Sequence, residues 1–210
     1  MTSNSTAEDI GALWLSTLQR AVARASHDVK DALNGVSVNL EVIRSRAAKP
    51  DVPASAVAKF GDAAGQQLER LATLIDAVLW LARADRAQAD VAVTLRRVVC
   101  VCGASASARD AAIRIEEGEL MGSTITAVSG DVARLAITGI LLELAVGTDP
   151  AVRASEIVCS LARGADVIEV TIAAKGRRPG MPDNVAEVVR AAGMQWSERD
   201  ESMSLIFPRA

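Results

Sequence analysis

The chain has 210 residues, 50% of them apolar and 23% charged, with a formal net charge of −3 at pH 7. That is enough apolar material for a sizeable core in one large or two small domains, and a balance so near neutral argues against nucleic acid or an anionic membrane as partner. No apolar run approaches the roughly 18 to 20 residues that span a bilayer, and the opening MTSNSTAEDIG has neither a basic nor an apolar leader segment, so a cytoplasmic protein that meets other proteins or small molecules is expected.

From about Glu8 to Ala48 there is no proline, and the glycines are Gly11 and Gly35 alone, which fits one helix of about 60 Å. Leu15, Val22, Val29, Val36 and Ile43 recur every seven residues, interleaved with Ala12, Gln19, Ser26, Leu33, Leu40 and Ala47. This is an a/d seam rather than a broad globular face. KPDVP, Lys49 to Pro53, breaks it with two prolines and an aspartate. A second seam follows, Val57, Ala64, Leu71 and Val78 alternating with Gly61, Leu68, Ile75 and Ala82. The two helices should form an antiparallel hairpin, and since a two-helix hairpin cannot enclose such a seam alone, a second copy is expected to complete a four-helix bundle.

After about Asp90 the pattern changes. Leu95 to Ala108 reads as a helix, AIRIEE and TITAVS as short alternating strands, and Asp131 to Val146 as a strongly apolar helix. SEIVCSLARGADVIEVTIAAK is two β-rich runs joined at RGAD. DNVAEVVRAAG is a helix opened by Asp183 or Asn184 and closed by Gly193, and MQWSERDESMSLIFP ends in two more short strands. Helices segregated from a mixed sheet make an α+β chain, divided here into a helical hairpin, residues 1–89, and a sandwich, residues 90–210. Cys100, Cys102 and Cys159 lack zinc or disulfide spacing and are expected as buried small hydrophobes. Trp14, Trp80 and Trp196 are expected as packing anchors.

His27 is the only histidine. One position past the seam residue Ser26, it should project to the outside of the bundle, sharing a polar strip with Arg20, Arg24, Asp31 and Asn34 at spacings of three, four and seven. By periodicity alone it is a solvated surface residue.

SHDVKDALNGVSVNLEVI, however, resembles the phosphoacceptor box of two-component histidine kinases, in which a histidine, an acid, variable residues and an apolar period lie on the first helix of a dimeric hairpin. The resemblance implies that His27 is the phosphoacceptor, a role suited to a neutral imidazole near pH 7. It implies that Asp28 accepts the other ring proton. Asp31 takes the place where the family often carries a threonine or asparagine that positions water, and an acid there departs from the pattern.

The second half resembles the ATPase-like domain of those kinases in outline. SGDVARLAITGILLELAVGTD is similar to the asparagine box, with Asp131, Arg134 and Leu135 in register, but Glu143 and Gly147 stand where asparagines belong, and a glycine side chain cannot ligate a metal. In VTIAAKGRRPGMPDN, Gly176 falls at the adenine-binding aspartate and Arg177 and Arg178 replace the segment after it. The ATP lid and the second glycine-rich box have no counterpart before the last strands.

An outlined phosphoacceptor with a dismantled nucleotide site resembles the dimeric histidine phosphotransferases of phosphorelays, the kind that serve the alphaproteobacterial cell cycle and bacillar sporulation. What this implies is a degenerate ATPase-like α/β sandwich behind the hairpin and a phosphotransferase that is not an ATP-dependent kinase. His27 would pass phosphoryl between receiver aspartates of response regulators or a hybrid kinase. No cofactor is expected in this chain, since Mg2+ would sit on the partner receiver, and Arg20, Arg24, Lys30 and Asn34 would face that partner. Two readings stay open beside it: a divergent kinase that still autophosphorylates, and a non-enzymatic adaptor that only binds a receiver.

Overall fold

The computed structural model describes residues 3–49, 53–103, 112–116, 122–146 and 154–210. Two long helices, α1 (Ser3–Ala47) and α2 (Ser55–Ala82), form the antiparallel hairpin. Then come β1 (Gln88–Asp90), α3 (Val91–Cys102), β2 (Ala112–Glu116), β3 (Ile125–Ser129) and α4 (Gly130–Val146). The chain closes with β4 (Glu156–Arg163), β5 (Val167–Lys175), α5 (Asp183–Ala191), β6 (Gln195–Glu198) and β7 (Ser202–Pro208). This is an α+β protein. Among the described residues no helix is long and apolar enough to cross a membrane.

The main sheet has the order β2-β4-β5-β7-β6, with β2 parallel to β4 and every other pair antiparallel. Its inner face follows from strict alternation: Ile168, Val170, Ile172 and Ala174 of β5 are buried, as are Met203, Leu205 and Phe207 of β7. Against this face lies α4, whose residues from Ala133 to Ala145 are nearly all buried, among them Leu135, Ile137, Ile140, Leu141 and Leu142. A helix apolar all round must be enclosed all round, and α4 packs against α1, α3 and α5 as well as the strands. A second, two-stranded sheet pairs β1 with β3 and joins the main one where the Thr126 hydroxyl donates to the Pro208 carbonyl at 2.5 Å.

Helix α3 starts four residues before the expected Leu95. The reason is Asp90, whose carboxylate accepts the Val93 N–H at 3.1 Å and caps the first turn. Observed α3 ends at Cys102 with Gly103 as its C-cap, and residues 104–108 of the expected helix, like Gly147, lie outside the described residues.

Within the hairpin, the buried stripe of α1 does not run along its seven-residue seam, whereas on α2 the seam residues Ala64 and Leu71 are buried. The buried α1 positions are Thr17, Ala21, Ala25, Asp28 and Ala32, which face Ala64, Leu71, Leu74, Ala77 and Leu81. Alanines let the two backbones approach closely, and several larger seam residues point elsewhere. Leu15, Leu33, Leu40, Leu68 and Ile75 are each more than 40% exposed within the chain.

Arg134 fastens the hairpin to the sandwich. It is fully buried on α4, and its Nη1 donates to the carbonyls of Trp80, Leu81 and Arg83 at 3.0, 3.2 and 2.6 Å, satisfying the last carbonyls of α2. Its Nη2 meets Asp131 at 2.5 Å, and its guanidinium lies 5.0 Å from the Trp80 ring and 5.5 Å from the Trp14 ring. Burial pulls its pKa below the ordinary guanidinium value, with Asp131 and Asp85 opposing. Asp131 also accepts the Asp85 N–H at 2.9 Å, tying the segment after α2 to the start of α4. Trp14 and Trp80 are thus anchors at the base of the hairpin, and Trp196 packs under Arg190 at 5.2 Å.

Replacing Arg134 by leucine strands the Asp131 carboxylate and the α2 carbonyls together. The expected loss is about 3–5 kcal/mol, read as a shift in the urea midpoint; a midpoint matching wild type would show that the joint is unimportant. The thiols give a second check. Cys102 and Cys159 are buried, and burial pushes both pKa values up to about 12. Cys100, expected to be buried, is only partly so. In the native protein at pH 8, Ellman's reagent should leave Cys102 and Cys159 untouched until denaturant is added; rapid native labelling of either would contradict this packing.

Candidate functional site

The outward position of His27 follows from α-helical geometry. An α-helix turns by about 100° per residue, so the inward stripe through Ala25, Asp28 and Ala32 leaves His27 on the exposed flank. Among the described residues its imidazole makes no hydrogen bond or ion pair. Its ring is open to an approaching partner.

The next residue has the opposite environment. The Asp28 side chain is 4% exposed, and its Oδ2 accepts from Arg70 Nη2 of α2 at 2.6 Å. The expected bond from the His27 ring to Asp28 is therefore not formed in this structure. Neighbouring helix positions diverge, and Asp28 pairs across the hairpin instead. Asp31, one turn on, is exposed and lines a cavity of about 220 Å³ with Asp28, Gly35, Gln67 and Arg70.

The four residues expected to face a partner are placed differently from one another. Lys30 and Asn34 are exposed, and Lys30 borders an apolar cavity of about 290 Å³ formed by Val22, Val29, Ile75 and Leu79 on the seam side. Arg24 is partly buried, its Nε donating to the Cys102 carbonyl at the end of α3 at 2.7 Å. A helix C-terminus is a natural seat for a cation. Arg20 lies 3.9 Å from Glu143 of α4 with both side chains about half exposed, a contact worth little by itself. Arg20 and Arg24 thus tie the hairpin to the sandwich in addition to flanking His27.

Glu143 is also where the two segments that resemble nucleotide boxes meet. Arg177, from the loop after β5, donates to the Glu143 carbonyl at 2.7 Å and to its carboxylate at 3.2 Å. An arginine on the last turn of α4 satisfies backbone oxygens there. Gly176, at φ +81°, takes a left-handed turn that suits glycine, and its N–H donates to Glu201 at 3.1 Å. The segment that resembles the adenine-binding box is therefore held down by Glu143 and Glu201. Among the described residues, no three histidine, cysteine, aspartate or glutamate side chains gather as metal ligands.

Sequence reading missed Arg70 and the Glu143–Arg177 bridge. Arg70 reads as an ordinary polar position in QQLERLATL, and nothing in the sequence marks the buried partner that it meets across the hairpin.

No protein-family model matches the sequence, and no curated protein does. Among solved structures, the chain is similar to the Acinetobacter baumannii histidine kinase AdeS at 14% identity, covering 88% of this chain and 97% of that one with a TM-score of 0.37. It is similar to a bacterial phosphotransferase at 16% identity, covering 96% of each chain, with a TM-score of 0.41. Histidine kinase ThkA, solved in complex with response regulator protein TrrA, is similar at 14% identity with a TM-score of 0.35; there 93% of this chain spans 63% of the other.

Proposed function

We propose that this protein is a phosphorelay histidine phosphotransferase: His27 takes a phosphoryl group from a receiver aspartate and hands it to another, without ATP. The observation that carries the reading is the placement of the chain's single histidine. It stands open to solvent on one flank of α1, on the helix whose inward stripe is buried and whose leucine seam is bare. In the reaction, a ring nitrogen of neutral His27 attacks the phosphorus of an acyl phosphate. The nitrogen–phosphorus bond forms as the phosphorus–oxygen bond breaks, and the electron pair leaves with the carboxylate. Return to a second aspartate is the reverse step. In this scheme Lys30 and Asn34, both exposed, would meet the incoming receiver, and Arg20 and Arg24 would add positive charge at one edge. Mg2+ belongs to the receiver in this scheme.

What favours transfer over an ATP-driven kinase is the sandwich. Arg177 and Glu143 bridge the place where the resembled boxes would contact adenine and metal, and the β5–α5 and α5–β6 connections are short. The sandwich then serves as a docking wall beside the hairpin.

The same reading includes a homodimer. Leu15, Leu33, Leu40, Leu68 and Ile75 form an exposed apolar face on the hairpin, and pairing with a second copy would build a four-helix bundle with His27 pointing outward. Light scattering should give about 44 kDa, twice the 21.9 kDa chain, and Leu33→Lys with Leu40→Lys should bring it to a monomer. A wild-type monomer at micromolar concentration would refute this assembly.

Mixing the protein with a phosphorylated receiver should move acid-labile phosphate onto wild type. His27→Ala should take none and still bind the receiver with unchanged affinity. Equal labelling of His27→Ala would place the phosphoacceptor elsewhere, and an intact biological effect in that variant would favour the adaptor reading.

A further inference from the structure

The ion pair next to His27 is lopsided. The Asp28 side chain is 4% exposed, and that of its partner Arg70 is 62% exposed. A buried carboxylate whose one ion-pair partner is largely solvated depends on that partner for its orientation. The other groups around Asp28 do not replace Arg70. Cys100 of α3 and Ile113 of β2 line the cavity of about 350 Å³ beside the pair, and burial raises the Cys100 thiol, which stays neutral. On α1 itself, Asp31 carries the same sign as Asp28, and Arg24 directs its Nε to the Cys102 carbonyl. The pair stands between this cavity and the one of about 220 Å³ shared with Asp31 and Gln67, so both side chains have room to change rotamer.

We propose that Arg70 is a positioning residue for phosphoryl transfer at His27, acting through Asp28. The inference rests on the reading of His27 as phosphoacceptor. When one ring nitrogen bonds to phosphorus, the ring becomes cationic and its second nitrogen keeps a proton. A carboxylate that turns from Arg70 to that N–H stabilises the charge. Arg70 holds Asp28 in place inside the hairpin until that moment. Without Arg70, the buried carboxylate loses the charge-assisted bond that orients it. The sign is therefore fixed: loss of Arg70 slows the reaction, and a lysine that keeps the ion pair restores it.

Potassium phosphoramidate tests this without a named partner. His27 attacks its phosphorus, the phosphorus–nitrogen bond breaks, and the nitrogen leaves as ammonia with that electron pair. Labelling is followed by phosphorus NMR at pH 7. Arg70→Met should label about tenfold more slowly than wild type, while Arg70→Lys should stay within about threefold. In an Asp28→Asn background, which needs no counter-ion, Arg70→Met should change nothing further. That background also carries the test if Arg70→Met alone unfolds. The proposal is overturned if Arg70→Met keeps the wild-type rate, if Arg70→Lys is as slow as Arg70→Met, or if Arg70→Met slows the Asp28→Asn protein. In those cases labelled wild type leaves the phosphoacceptor reading standing. Wild type that takes no label from phosphoramidate removes both.

Discussion

An α-helix advances about 100° per residue, and on α1 that constraint assigns separate directions to residues adjacent in sequence. Ala21, Ala25, Asp28 and Ala32 point into the chain, Leu15, Leu33 and Leu40 point to a second, bare face, and His27 points to a third. A shift of one residue in the packing of α1 would bury the imidazole and expose Asp28. The alanines set the register, because only small side chains let α2 approach there, and the Asp28–Arg70 pair closes the inward stripe. The chemistry available to His27 thus depends on how the opposite side of its own helix is packed.

Charge adds to a shared apolar core in joining the two halves of the chain. Arg134 replaces the missing hydrogen bonds at the end of α2 while sitting between two indoles, and Arg24 does a similar service for the end of α3. Glu143 gathers Arg177 from the sandwich and, more loosely, Arg20 from the hairpin. Arginine suits these places because a planar fork of donors reaches several carbonyls and a carboxylate at once. The contacts differ greatly in strength. The buried Arg134 cluster carries stability, whereas the half-exposed Arg20–Glu143 contact at 3.9 Å does not.

Most of the fold was legible because its signals are local. Period-two runs such as VIEVTIAAK became strands, the proline-rich KPDVP ended α1, and Gly193 took the left-handed φ of +74° that closes α5. The early start of α3 was also written locally, in Asp90, but went unread. The seam was legible as a pattern and not as a contact, since heptad spacing says which residues share a face and not which neighbour covers it. The site was half legible. His27 stands out as a lone histidine on a polar flank, but its acid neighbour turns inward to Arg70, 42 residues away, and such a pairing exists only after the hairpin closes. The Glu143–Arg177 bridge joins residues 34 apart for the same reason.

The central claim is that His27 exchanges phosphate with receiver aspartates and takes none from ATP. The most direct measurement gives the purified protein two donors in parallel, Mg-ATP alone and a phosphorylated receiver freed of ATP, and follows nitrogen-bound phosphate by phosphorus NMR. The expected result is a phosphohistidine signal from the receiver and none from Mg-ATP. A phosphohistidine signal on His27 with Mg-ATP as the sole donor would contradict it.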